Sequence, residues 1–193
     1  MSDAPEPVSR TVAISSAGEL SEPAMALVRP EMHPRDYVAL LLERELYPDA
    51  VKFVAHALPK REAVWWAWIT ARRAAGEKPA PPIAAVLEAT ERWIAQPTDP
   101  NRRAAMAAAE KAGFDSAAGC AGLGAFFSGE SLAPPELQAV PPGEHLTGKA
   151  VAGAVTLAAV SSEPEKAPEK FRNFVTQGLE VAERIQLWGP KQT

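Results

Sequence analysis

The side chains best suited to acid–base, nucleophilic or metal chemistry are three histidines, at positions 33, 56 and 145, and one cysteine, Cys120. The histidines lack the i, i+4 helical spacing or the cysteine partners that zinc requires, so neither a metal nor a cofactor is expected. Cys120 has no basic or histidine neighbour in sequence to stabilise a thiolate and reads as a small buried residue. No Gly-x-Ser-x-Gly elbow or dinucleotide fingerprint occurs, and Gly148-Lys149 lacks the first glycine and the following Ser/Thr of a phosphate loop. No catalytic residue is assigned.

The candidates that remain gather in one stretch, Ala55 to Arg73, which holds three of the five tryptophans. His56 falls in the last turn of a helix, where the dipole favours a cation, and Glu62 follows six residues later. Arg72 projects between Trp65 and Trp68 on a helical wheel, suited to cation–π stacking. His56, Glu62, Trp65 and Arg72 are therefore the candidate contacts for a ligand or partner. The competing reading is structural, with His56 as a cap and the aromatics as core.

The element that positions them is a helix from Pro59 to Ala75, since neither proline nor glycine interrupts the chain before Gly76. Val64, Trp65, Trp66, Trp68 and Ile69 form a bulky arc on it, and Ala63, Ala67, Ala71 and Ala74 line the opposite side. Two contact faces predict a central helix, with Trp66, Trp68, Trp93 and Phe174 in the core.

The rest reads as an all-α single domain of seven to eight short helices spanning 32–188. It is preceded by a flexible Pro/Ser-rich arm over 1–31, in which 10–14 can form a short strand, and followed by a tail over 189–193. Helices are expected from Pro34 to Leu46, Pro48 to Leu58, Ile83 to Ile94, Asn101 to Ala112, Ala117 to Ser128 and Gly148 to Val160. A last one begins between Pro164 and Pro168. Thr98 or Asp99, Ser116 and Thr147 are the expected caps. The proline-rich stretch 129–146 reads as a strap pegged by Leu132, Leu137 and Val140, or alternatively as a recognition loop. Arg102-Arg103 reads as a solvated face or as paired with local glutamates.

Apolar residues make up 47% of the chain, which argues for a globular protein, and a net charge of −4 argues against a nucleic-acid binder. A lone cysteine fits a reducing compartment. The acidic start lacks the features of a secretory signal, and the apolar window 150–160 is too short for a membrane span, so cytoplasmic location without membrane insertion is expected.

The run His56-Ala57-Leu58-Pro59-Lys60-Arg61-Glu62-Ala63-Val64-Trp65-Trp66-Ala67, with 101–110 and Leu132-Ala133-Pro134-Pro135, resembles an uncharacterised family of small all-helical bacterial proteins. The resemblance covers roughly 32–185 and carries no activity or site residue. It implies a bacterial origin and an accessory role beside secretion or injection machinery. Two functions stay open. One is a non-catalytic module that binds another protein as adaptor, chaperone or accessory factor; the other is a small-molecule sensor or enzyme with a site beside the tryptophan helix.

Overall fold

Proline punctuates this chain, and most of its helices begin at or beside one. A computed structural model describes residues 9–189, in which ten α-helices, one 3-10 turn and no strand occur. They are α1 (Arg10–Ala17), α2 (Glu22–Leu27), α3 (Pro34–Glu43), α4 (Tyr47–Ala57) and α5 (Lys60–Ala75). The second half holds α6 (Pro81–Ala95), α7 (Asp99–Ala112), α8 (Ala117–Phe127), α9 (Leu146–Val160) and α10 (Ala167–Arg184), with the 3-10 turn at Pro164–Lys166.

Six α-helices carry proline in their first two positions, where the missing N–H breaks no bond. Pro59 stands one place earlier than expected, as the residue before α5. Thr98 and Ser116 cap α7 and α8 with their hydroxyls, as their spacing predicts.

Eight of these helices answer to the eight read from the sequence; α1 and α2 do not. Residues 10–27, expected in a flexible arm with a short strand, instead form two helices packed on the body. Thr11, Ser15, Leu20 and Ala24 are buried. The Ser21 amide and hydroxyl both donate to the buried Asp49 carboxylate, at 2.8 and 2.9 Å. Tyr37 Oη donates to the Ala24 carbonyl at 2.7 Å. These helices are only eight and six residues long, too short to show an apolar stripe, and their stability comes from docking. The parts of the expected arm and tail at 1–8 and 190–193 lie outside the described residues.

Trp66 has the largest of the fully buried side chains, and its indole Nε1 donates to the Phe174 carbonyl at 2.8 Å. The bond satisfies the ring's one polar group and ties α5 to α10. Trp93 and Phe174 are also buried, whereas Trp68 is half-buried, on the edge of a smaller cluster formed by Ala71, Val86, Leu87, Ala109 and Ala118. Its Nε1 donates to the Leu87 carbonyl at 2.9 Å.

The alanine face of α5 is enclosed at Ala63, Ala67 and Ala71 but open at Ala74. Against α5 lies α9, built of alanine, glycine and valine and buried on most sides, with α4, α8 and α10 around it. Small side chains let it sit close to all four, so α9 shares the centre with the tryptophan helix.

Candidate functional site

The joint between α4 and α5 places His56 at one end of the tryptophan helix and leaves Arg72 at the other. A helix rises about 1.5 Å per residue, so the two ends of α5 lie roughly 20 Å apart. Arg72 is exposed, with its guanidinium 5.4 Å from the centre of the Trp68 ring. It lines a cleft of about 790 Å³ with Trp68, Arg73, Glu77 and Leu87. His56 lines a different cleft, of about 680 Å³, between α1, the α4–α5 joint and the start of α9. Trp65 is half-buried against the main core, and Glu62, in the first turn of α5, lines neither cleft. The four candidates named from the sequence therefore do not converge on one pocket.

The His56 cleft brings two of the three histidines together. His56 and His145 meet ring to ring, with centroids 5.9 Å apart, and His56 Nδ1 lies 2.8 Å from the Lys52 carbonyl. Burial lowers the pKa of His56, with the Lys52 carbonyl and the His145 backbone opposing and the neighbouring His145 charge adding to the fall. His56 Nε2 is buried and makes no hydrogen bond of ordinary geometry.

Gly148 makes the close packing possible, since a Cβ there would fall 2.6 Å from His56 Nε2. Thr147, expected to cap α9, is instead its second residue: His145 holds the cap position without a side-chain bond, and the Thr147 hydroxyl is buried without a partner. The chain turns helical one residue before the threonine, which takes its hydroxyl out of capping geometry.

The third arrangement is one that sequence reasoning missed. Arg102, read as part of a solvated face, is only 3% exposed. Its guanidinium lies 4.8 Å from the Phe126 ring centre and pairs with Asp99, one turn earlier in α7. It also donates to the carbonyls of Phe126, at 2.7 Å, and Ser131, at 2.8 Å. Arg103 shares Asp99 at 2.7 Å and donates to the Ala133 carbonyl at 2.6 Å. Hydrogen bonds from the two arginines hold the Asp99 carboxyl below its ordinary pKa.

What these arginines hold is the stretch 131–140, a closed loop. The Leu132 amide donates to the Val140 carbonyl at 2.8 Å, and Ser131 Oγ accepts from the amides of Ala133 and Val140. Of its three expected pegs only Leu132 is partly covered; Leu137 and Val140 are 62% and 52% exposed. The closure at 132 and 140 turns them outward, so the stretch does not lie as a strap. Beside it runs a cleft of about 570 Å³ lined by Lys60, Arg61, Trp93, Arg103, Pro134 and Leu137 among others.

Cys120 is buried, its Sγ lies 3.1 Å from the Phe114 carbonyl, and burial raises its pKa, with the Asp115 charge acting in the same direction. That environment disfavours a thiolate. Among the described residues no group of three or more His, Cys, Asp or Glu side chains is placed to hold a metal. None of the helices among those residues is long and apolar enough to cross a membrane.

No curated protein and no solved structure matches this chain. A model of a family of unknown function matches residues 37–182, which contain α4 to α9 entire and the whole 131–140 loop, but neither α1 nor α2. The chain belongs to that family of unknown function, DUF6931.

Proposed function

We propose that this protein is a non-catalytic, cytoplasmic interaction module that docks on another protein through the 131–140 loop. The observation that carries this reading is the investment of a buried arginine in holding an apolar tip outward. A connection serving only to join α8 to α9 needs no such anchor, and long loops in compact folds are commonly functional. A preorganised loop also loses little conformational entropy on binding.

The charge beside the loop indicates the partner's chemistry. Lys60 and Arg61 line the adjoining cleft and take part in no ion pair among the described residues; Arg61 Nε donates to the Ile94 carbonyl. The complementary surface is a segment of another protein with acidic residues and an apolar socket for Leu137. Adaptor, chaperone or accessory factor all fit this description, and the family resemblance favours an accessory role in a bacterial secretion or injection machine.

The test is crosslinking in the native cell with the wild-type chain and a Leu137→Ser/Val140→Ser double variant. The reading expects one protein partner, mapped to an acidic segment and lost with the variant. Identical partners for both chains would refute it.

A further inference from the structure

Asp49 and Tyr37 bury polar groups whose partners lie in the segment ahead of the family-matched body. The Asp49 carboxylate, on a residue 5% exposed, accepts from the amide and hydroxyl of Ser21 at 2.8 and 2.9 Å. The Tyr37 hydroxyl, on a fully buried residue, donates to the Ala24 carbonyl at 2.7 Å. Ser21 and Ala24 bound the first turn of α2, so the body reads the start of that turn through an N–H and an O–H and its end through a C=O. Ala24 is itself fully buried, which leaves no room there for a larger side chain. Tyr37 and Asp49 fall within residues 37–182, whereas Ser21 and Ala24 precede them.

The segment that supplies these partners is lightly held. Its helices have eight and six residues, lengths that are unstable in water without docking. Leu20 is its only large apolar side chain that is buried; Ile14, Met25 and Leu27 are half-buried. Its bonds from Arg10 to the Leu187 carbonyl and from Glu19 to Lys149 are exposed. The connection to α3, residues 28–33, is exposed at 29–31 and reaches about 20 Å when extended, long enough for the segment to leave while the body stays folded. A buried carboxylate contributes little net stability, because desolvation offsets the bonds it makes. What it contributes is discrimination, since any segment lacking the hydroxyl leaves a carboxylate oxygen unpaired. A selective seat under a lightly held segment is the arrangement of a site at which segments compete.

We propose that the face of α3 and α4 around Tyr37 and Asp49 is a recognition site for the start of a helix in a partner protein, one carrying serine or threonine and a small residue three places later. Residues 9–28 are its built-in occupant, displaced when the partner binds. Lys149, paired with Glu19 at 2.7 Å, favours an acidic residue two places before the serine. A phosphate on the serine is excluded, because it would meet the Asp49 carboxylate. The site is separate from the 131–140 loop: neither Tyr37 nor Asp49 lines the cleft beside it.

The probe is a fluorescent peptide of residues 9–28, titrated by anisotropy into the full-length wild-type chain and into full-length Ala24→Glu, whose own segment cannot seat. Ala24→Glu should stay folded by circular dichroism and bind the peptide saturably, about tenfold or more tighter than wild type, where the site is already filled. The peptide with Ser21→Ala should bind about tenfold more weakly, and the peptide with Ser21→Thr, which restores the hydroxyl, should match the parent. Adding Tyr37→Phe to the Ala24→Glu chain should weaken the parent peptide to a similar degree. Equal binding to both chains, or indifference to Ser21→Ala, would overturn the proposal. So would absence of binding by Ala24→Glu, or global unfolding of that chain, which would make α1 and α2 one cooperative unit with the body. A wild-type dimer in light scattering that Ala24→Glu abolishes would give the site to a second copy and overturn its assignment to a partner protein.

Discussion

The surroundings of Trp66 and the loop at 131–140 solve opposite problems with the same rule. Around Trp66 a large apolar ring of α5 is fully buried against α10, and one indole N–H finds one carbonyl. At the loop the apolar side chains face outward, and the inner side is held by a buried guanidinium that meets a carboxylate and two carbonyls. In the first region burial of apolar area supplies the stability and the hydrogen bond only prevents a loss. In the second, charge-assisted hydrogen bonds do the holding because little apolar area is available. The contrast separates what folds the molecule from what it presents.

The core is where a single substitution costs most. Trp66→Ala should cost about 3–5 kcal/mol of unfolding free energy, measured by urea denaturation followed by circular dichroism. A cost below about 1 kcal/mol would show that the ring is not the centre of the packing.

Arg102→Ala comes next, at roughly 1.5–3 kcal/mol for hydrogen bonds to a charged group. Its signature should be local. Hydrogen exchange at 132–140 should accelerate while α5 and α9 keep their protection, and uniform acceleration would mean that loop and core form one cooperative unit.

The Leu137→Ser/Val140→Ser variant should leave stability within about 0.5 kcal/mol of wild type, because both side chains are already in water. A clear loss in the same denaturation assay would place them in the fold after all.

The smallest effect concerns His56. Its folded-state pKa is lowered by burial, so the unfolded chain takes up the proton first as pH falls. The stability that depends on the neutral ring is present above the ordinary value of 6.5 and is lost as pH drops from there toward the folded pKa. Urea midpoints should therefore decline as pH falls below the ordinary histidine value of 6.5, and His56→Gln should flatten that decline. An equal decline in the variant would assign it to other groups.

Much of the fold was legible because punctuation in this sequence is strong. Prolines at 34, 48, 59, 81 and 100 stand at or next to helix starts, and Ile83, Val86, Leu87, Thr90 and Trp93 recur at helical spacing. By contrast, α1 and α2 were hidden because two turns each cannot display an apolar stripe, although Ser9 and Ser21 both act as caps. The buried state of Arg102 had one signal in the sequence, Asp99 placed three residues before it and four before Arg103. That spacing normally marks an exposed pair, and only the returning chain at Phe126 and Ser131 covers it. His56 and Thr147 are brought to one cleft by the packing of α4 against α9, which no local pattern encodes.

The proposed docking requires the loop to be a presented surface whose shape depends on Arg102. A photo-reactive amino acid replacing Leu137 tests this directly, with the same probe at Phe114, another exposed apolar position, as control. In the native cell the probe at 137 should give one discrete protein adduct that the probe at 114 does not give, and Arg102→Ala in the same chain should abolish it. An adduct at 137 that survives Arg102→Ala, or the same adducts from both positions, would contradict the account.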